Sequence, residues 1–447
     1  MDTLNPSINH TAPLEGSHWQ PRFWSIWLGQ ALSLIGSSLT QFVLLWWITS
    51  TTGSASALAI AGIAGLLPQA LLGPLGGVIA DRLPRRTIMI VADSITALCM
   101  IVLILLFSSG NIQLWHVYTL MFIRSSMQAF QSPAASSSTA NLVPQSWLPR
   151  VAGLNQSLQG IMTIAAAPLG ALALAWLPLQ GALMIDVVTA VLGITPLLFY
   201  KIPQPLETQN KTSSGWEDFK EGVTYVSQDR GLVGLFALLG LVVLTVMPTF
   251  ALTPLLVKQH FLGGVNEVAL MEGISGIGMI AGGIFISIYP PKRPILVLLL
   301  AFAVSCGTVA LTALSSSNAL WLAVIWWTVS GVTFSVGNAP MMSVLQTIVP
   351  NAMQGRTLSL MNTVMGFAGP IGLAIAGPLG DAIGVRGVFI WGGALSALVC
   401  LLGLLAPALH QLEARAMQVT HARASNQPAS SDQHAERSSS SVAPDPS

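Results

Sequence analysis

Arg124 stands about nine residues into an apolar run that begins near residue 115. At 1.5 Å per residue it would lie about 14 Å along a helix, near the middle of a ~30 Å apolar layer. An arginine there costs at least a few kcal/mol unless it is paired or hydrated, so it is a functional candidate or half of a structural ion pair. Gln128 and Gln131 follow at helical spacing and extend a polar stripe. Three acids also fall inside apolar runs: Asp93, Asp186 and Glu272. A carboxylate that is ionised in one state and protonated in another can carry a proton, because burial and a neighbouring arginine act on it in opposite directions. Asp186 and Glu272 are the proton-carrier candidates, with an inter-helix hydrogen bond as the equal alternative for each. The stretch GGVIADRLPRR, Gly76 to Arg86, sets Asp81 among Arg82, Arg85 and Arg86 between two apolar runs.

These groups need a scaffold, and composition says what kind. Only 8% of the 447 residues are charged and 53% are hydrophobic, against about 25% charged in a soluble domain. Lipid is therefore the solvent for most of the chain. The net charge of +1 gives no attraction to nucleic acid. Cys99, Cys306 and Cys400 are read as buried thiols. Met1 to Gln20 is polar and has no signal-peptide core.

Twelve apolar runs are each long enough to cross the bilayer as helices: 23–48, 57–80, 87–108, 115–138, 153–176, 181–200, 231–256, 267–289, 295–315, 320–342, 357–380 and 388–410. An even number places both termini on one side. Of the 18 Lys and Arg residues, only Lys258 and Arg386 fall on the opposite side and Arg124 falls within a run. The positive-inside rule then makes both termini cytoplasmic.

The expected organisation is a cytoplasmic segment 1–22, a six-helix bundle 23–200, a cytoplasmic loop 201–230, a second six-helix bundle 231–410 and a disordered cytoplasmic tail 411–447. Within the loop, Trp216, Phe219, Val223 and Val226 recur at helical spacing and predict an amphipathic helix. The halves repeat. Gly76-Gly77 recurs as Gly282-Gly283, Leu114-Trp115 as Leu320-Trp321 and Val143-Pro144 as Val349-Pro350, each 206 positions on. Two such halves around a midplane cavity are a transporter architecture.

Gly77-x-x-x-Asp81-Arg82-x-x-Arg85-Arg86 resembles the loop-two/three signature of the major facilitator superfamily, with Pro84 in place of its second glycine. Within that superfamily, IWLGQALSLIGSSL, GGVIADRLPRRTIMIVAD, FIRSSMQAF, SLQ, IDVV and QGRTLSL resemble the macrolide-efflux branch of drug:proton antiporters. The resemblance implies two pseudo-symmetric six-helix bundles. It also implies export of a lipophilic, macrolide-like drug by alternating access, coupled to proton entry at the plasma membrane. A siderophore or metabolite exporter, or a proton-coupled uptake symporter or facilitator, remains the alternative on the same fold.

Asp81 at the end of the second run can bind a helix N-terminus or an arginine of the other half and so latch the bundles. Gly77, Asp81, Arg82, Arg85, Arg86 and Asp93 form the expected gate cluster. Arg124 is similar to an arginine that the family links to proton coupling, although Ala129 stands where its Gln-Gly pair would end. Substrate-wall candidates are Gln30, Gln41, Gln128, Gln131, Asn155, Gln159, Trp326, Asn338 and Asn362. No Gly-x-x-x-x-Gly-Lys or His-Glu-x-x-His occurs, so no enzyme activity, cofactor or metal is expected. The expected partners are a small lipophilic substrate, protons and the bilayer, and the expected state is a monomer.

Overall fold

Where lipid replaces water, a backbone must pair with itself, and helices do this within one segment. The computed structural model describes residues 19–200, 202 and 215–425, and their regular structure is helical. The first half comprises α1 (Trp19–Thr52), α2 (Ala55–Arg82), α3 (Arg85–Ser108), α4 (Leu114–Asn141), α5 (Leu148–Trp176) and α6 (Leu179–Phe199). A short helix, α7 (Gly215–Gln228), leads to the second half. That half comprises α8 (Arg230–His260), α9 (Val265–Ile288), α10 (Pro294–Leu314), α11 (Leu320–Ile348), α12 (Asn351–Ile383) and α13 (Val385–Gly403), and α14 (Pro407–Ser425) follows.

Among the described residues, eleven helices are long and apolar enough to cross a membrane. Helix α4 is long enough at 28 residues but is diluted by Arg124, Ser125, Ser126, Gln128 and Gln131. It packs against α2 and α3, which keeps that polar content inside a bundle. With α4 the protein is an all-helical integral membrane protein of twelve spanning helices in two six-helix bundles.

The repeat in the sequence is a repeat in packing. In the first half α1 packs on α5 and α6, α2 on α4, and α3 on α4 and α6. In the second half α8 packs on α12 and α13, α9 on α11, and α10 on α11 and α13. Each pairing is the other's image. The bundles meet through α2 with α12 and α5 with α9, again a symmetric exchange. The matched glycines explain why the sequence repeats at all. A Cβ on Gly76 would lie 2.1 Å from the Ala129 carbonyl oxygen, and one on Gly282 would lie 2.3 Å from that of Val332. Each glycine lets two helix backbones touch, and any other residue would push them apart.

Helices α1 and α13 begin and end, respectively, on one face of the molecule, the terminus face. Phe23 of α1, Ala80 of α2, Ile88 of α3 and Val151 of α5 share an apolar cluster there. Residues 411–425 depart from the expected disordered tail, because they form most of α14. Leu409, Leu412 and Ala416 recur at helical spacing and are buried. Glu413 accepts from the backbone N–H of Leu296 at the start of α10 at 3.2 Å. Arg415 makes a two-pronged ion pair with Asp229 at 2.7 and 2.8 Å. Residues 426–447 lie outside the described residues, as do 1–18.

Asp229 also caps α8 by accepting from the N–H groups of Gly231 and Leu232. The Arg415 guanidinium, helped by those two N–H groups, holds the Asp229 carboxyl below the usual carboxylate range. A depressed carboxylate contributes stability above the ordinary aspartate range and loses it as pH falls through the lowered value. Asp229→Asn should therefore lower the melting temperature of the purified protein by a few degrees at pH 7. The gap to wild type should close only below about pH 4. Coincident melting curves at pH 7 would show that the α14 brace contributes nothing.

Candidate functional site

At the centre of the first bundle, Arg124 Nη2 donates to Asp186 Oδ2 at 3.1 Å. The two side chains are only 8% and 1% exposed, so the pair is sealed from bulk solvent. Ser37 of α1 completes it. Its hydroxyl donates to Asp186 Oδ1 at 2.9 Å, and its carbonyl accepts from Arg124 at 3.3 Å. Arg124 keeps Nε and Nη1 without a partner among the described residues. The guanidinium is thus neutralised but under-bonded, with two donor atoms left to take new partners.

A cavity of about 110 Å³ adjoins this pair, lined from α1, α3, α4 and α5. Ser37 belongs both to its wall and to the ion pair. Gln30 organises the wall. It donates to Asp93 Oδ2 at 3.1 Å and to the Gly193 carbonyl at 3.2 Å, and it accepts from Gln131 at 2.5 Å. Trp27 donates its indole N–H to Asn155 at 2.9 Å. Gln128 and Gln159 also line the space. Sequence reasoning missed Ser37 and Trp27, since a serine and a tryptophan in an apolar run carry no signal of their own.

The other expected residues are spread more widely. Gln41 faces α2 at Gly65. Asn362 is exposed on α12, one turn before Gly366 and on its face. Asn338 and Trp326 are half-buried on α11, and the deeply buried tryptophan is the neighbour, Trp327, at 1% exposure. Glu272 of α9 stands beside the Trp327 indole. The geometry stops short of a hydrogen bond, because Trp327 Nε1 has no partner among the described residues. Glu272 is thus in the second bundle, apart from Arg124 and Asp186.

The expected gate cluster separates. Asp93 lies about 12 Å along α3 from Arg85, too far up the helix to join Asp81, and it turns to Gln30 instead. Asp81 is 70% exposed, and its ion pair is with Arg85 at the start of α3, at 3.5 Å. Gly77 borders open space. The arginines bind their own bundle. Arg85 donates to the carbonyls of Ala80 and Ser137, near the ends of α2 and α4, and Arg86 to those of Leu197 and Leu198 at the end of α6. All three helices end on this face, where the macrodipole favours cations. Among the described residues, no hydrogen bond or ion pair ties Arg82 to the other bundle.

The opposite face is closed. Lys258 of α8 donates to the carbonyls of Thr49 and Ser50 at the end of α1, at 3.0 and 2.8 Å. Gln259 donates to the Gly53 carbonyl at 2.7 Å. Asp381 of α12 accepts from the N–H groups of Ala55 and Ser56 at 2.8 and 3.2 Å, and from Ser54 Oγ at 3.2 Å. A cation thus caps the end of one helix and an anion caps the start of the next, both supplied across the bundle interface. Along the α2–α12 seam, Gly377 meets Ala59 and Gly380 meets Ala55, while Gly73, Gly77 and Gly355 border empty space. The bundles therefore form a cleft, shut at this end and open on the terminus face.

Two mirrored six-helix bundles around a one-sided cleft are a transporter's architecture. The model of the Major Facilitator Superfamily matches residues 26–373. The chain belongs to the Major Facilitator Superfamily. Macrolide efflux protein A of Streptococcus pyogenes is 30% identical over 398 residues, covering 89% of this chain and 98% of that protein. Multidrug efflux pump Tap of Mycolicibacterium fortuitum is 26% identical over 404 residues, 85% of this chain and 94% of that one. A mutant form of the nucleoside transporter NupG superposes with a TM-score of 0.66 at 14% identity, covering 85% of this chain and 99% of its own, and shares the fold. The protein is thus a membrane transporter of the superfamily and not an enzyme.

If Arg124 and Asp186 act as one unit in this transporter, removing one partner should hurt more than removing both. Asp186→Leu strands a buried guanidinium at a cost of about 3–5 kcal/mol. The double variant Arg124→Met, Asp186→Leu should recover at least half of the lost thermal stability. Melting curves in detergent read the difference, and additive losses would show that the two charges are independent.

Proposed function

We propose that the protein is a secondary active exporter of lipophilic, macrolide-like drugs. It sits in the bacterial plasma membrane with both termini in the cytoplasm and works by alternating access coupled to proton entry. The observation that carries the drug reading is the near end-to-end similarity to a macrolide efflux protein. The cleft supports the cycle, since it opens toward the face proposed as cytoplasmic, where an exporter loads its cargo.

Proton coupling is assigned to the Arg124–Asp186 pair. Asp186 is one side chain from the cavity, through Ser37. A proton placed on Asp186 removes the charge that compensates Arg124, and the freed guanidinium must find new partners. Proton arrival and rearrangement of α1, α4 and α6 are thereby one event. In this scheme Asp81 latches the inner end in the outward-open state, when the bundles close over it. Lys258 and Asp381 latch the outer end in the state described above.

In cells without their own pumps, the wild-type protein should lower retention of labelled erythromycin, and collapse of the proton gradient should restore it. Arg124→Ala should abolish the difference while the protein still reaches the membrane. Retention unchanged by the wild-type protein would remove macrolides as the substrate, and full export by the variant would remove Arg124 from coupling.

The outer latch has its own test. Lys258→Ala combined with Asp381→Asn should shift the population toward the outward-open form. A cysteine introduced at Ala59, buried in the closed α2–α12 seam, should then react at least tenfold faster with an impermeant thiol reagent. An unchanged rate would mean that apolar packing alone holds this end shut.

A further inference from the structure

Asp93 is the one carboxylate in the spanning helices that is buried, borders the cavity and has no cation beside it among the described residues. It is 6% exposed. Its Oδ2 accepts from Gln30, and its Oδ1 has no donor among the described residues. The nearest positive groups are committed elsewhere. Arg124 is paired with Asp186, Arg85 with Asp81 and two carbonyls, and Arg86 with the end of α6. A buried carboxylate with one amide donor and no cation is costly, and its charge is offset either by a proton or by a cation that enters the cavity.

The surroundings specify that visitor. Trp27 contributes an aromatic wall to the same space, and Asn155 fixes its indole N–H. A carboxylate and an aromatic ring lining one cavity are suited to an alkylammonium group, through charge pairing and cation–π attraction. The half-open cavity of about 110 Å³ has room for a small cationic head. The body would extend into the open cleft.

We propose that Asp93 and Trp27 form a subsite for the protonated amine of a lipophilic substrate, with Asp93 as its anionic anchor. The proposal rests on the export reading above and narrows the cargo to lipophilic amines. Gln30 is a positioning residue, since it orients the carboxylate while tied to Gly193 and Gln131.

A matched pair of probes tests this on the full-length protein in nanodiscs. N,N-dimethyl-4-phenylbutylamine is cationic at pH 7, and N,N-dimethyl-4-phenylbutanamide has nearly the same shape but no charge. Equilibrium dialysis, corrected with empty nanodiscs, should show the amine bound at least tenfold more tightly than the amide. Asp93→Asn, which preserves shape, should weaken amine binding at least tenfold and change amide binding less than twofold. Asp93→Glu should retain most of the preference. Trp27→Leu should weaken amine binding several-fold. Equal affinity of wild type for the two probes, or amine binding by Asp93→Asn within twofold of wild type, overturns the proposal. A misfolded variant would lose both probes together, and Asp93→Glu then decides. The erythromycin assay reads the export proposal separately, because a charge preference at Asp93 can stand even if macrolides are not exported.

Discussion

A guanidinium cannot stay inside an apolar bundle alone, and the first bundle is arranged around that constraint. Arg124 comes from α4, Asp186 from α6 and Ser37 from α1. Three helices must converge for the charge to be tolerated, so the ion pair fixes their mutual rotation. The polar wall of the cavity follows from it, because the faces of α1 and α4 that reach the pair also carry Gln30, Gln128 and Gln131. The second bundle repeats the helix packing without repeating the pair. Its one acid deep in a span, Glu272, stands by an indole rather than an arginine. The symmetry is one of backbone packing, and the chemistry is asymmetric.

Charges at the two faces follow a common rule. On the terminus face, Arg85 and Arg86 bind carbonyls near the ends of α2, α4 and α6. On the other face, Lys258 binds the end of α1, and Arg386 binds the Ala313 carbonyl at the end of α10. Every one of these cations meets exposed carbonyls of a helix C-terminus. The two positive charges that break the topological bias are therefore structural, as are Arg85 and Arg86, which obey it.

Much of this was legible in the sequence. Apolar runs of bilayer length gave the helices, and the matched glycines and prolines gave the repeat, because backbone contact between helices tolerates no substitute at Gly76 or Gly282. Arg124 announced itself by its cost. Which acid answers it did not, since Asp186 and Glu272 sit at similar depths and only the packing of α6 against α1 and α3 separates them. Asp93 was misplaced for a similar reason. The two turns of helix between Asp93 and the loop were legible, but not that its side chain turns to Gln30 and the cavity. The tail was misread because its composition was averaged. Leu409, Leu412 and Ala416 make an apolar stripe before the Ser- and Pro-rich residues begin.

The closed end of the cleft is held in an unusual currency. Lys258, Gln259 and Asp381 reach across to the peptide backbone of Thr49, Ser50, Gly53, Ala55 and Ser56, and Asp381 also takes the Ser54 hydroxyl. Such a lock reads the spacing and path of the turn, not its letters. Gly53 and Ser54 are the exceptions, Gly53 because its φ of 61° disfavours other residues and Ser54 because its hydroxyl donates to Asp381. Most substitutions between α1 and α2 would leave the lock intact, whereas adding or deleting a single residue would move the keyhole away from the key.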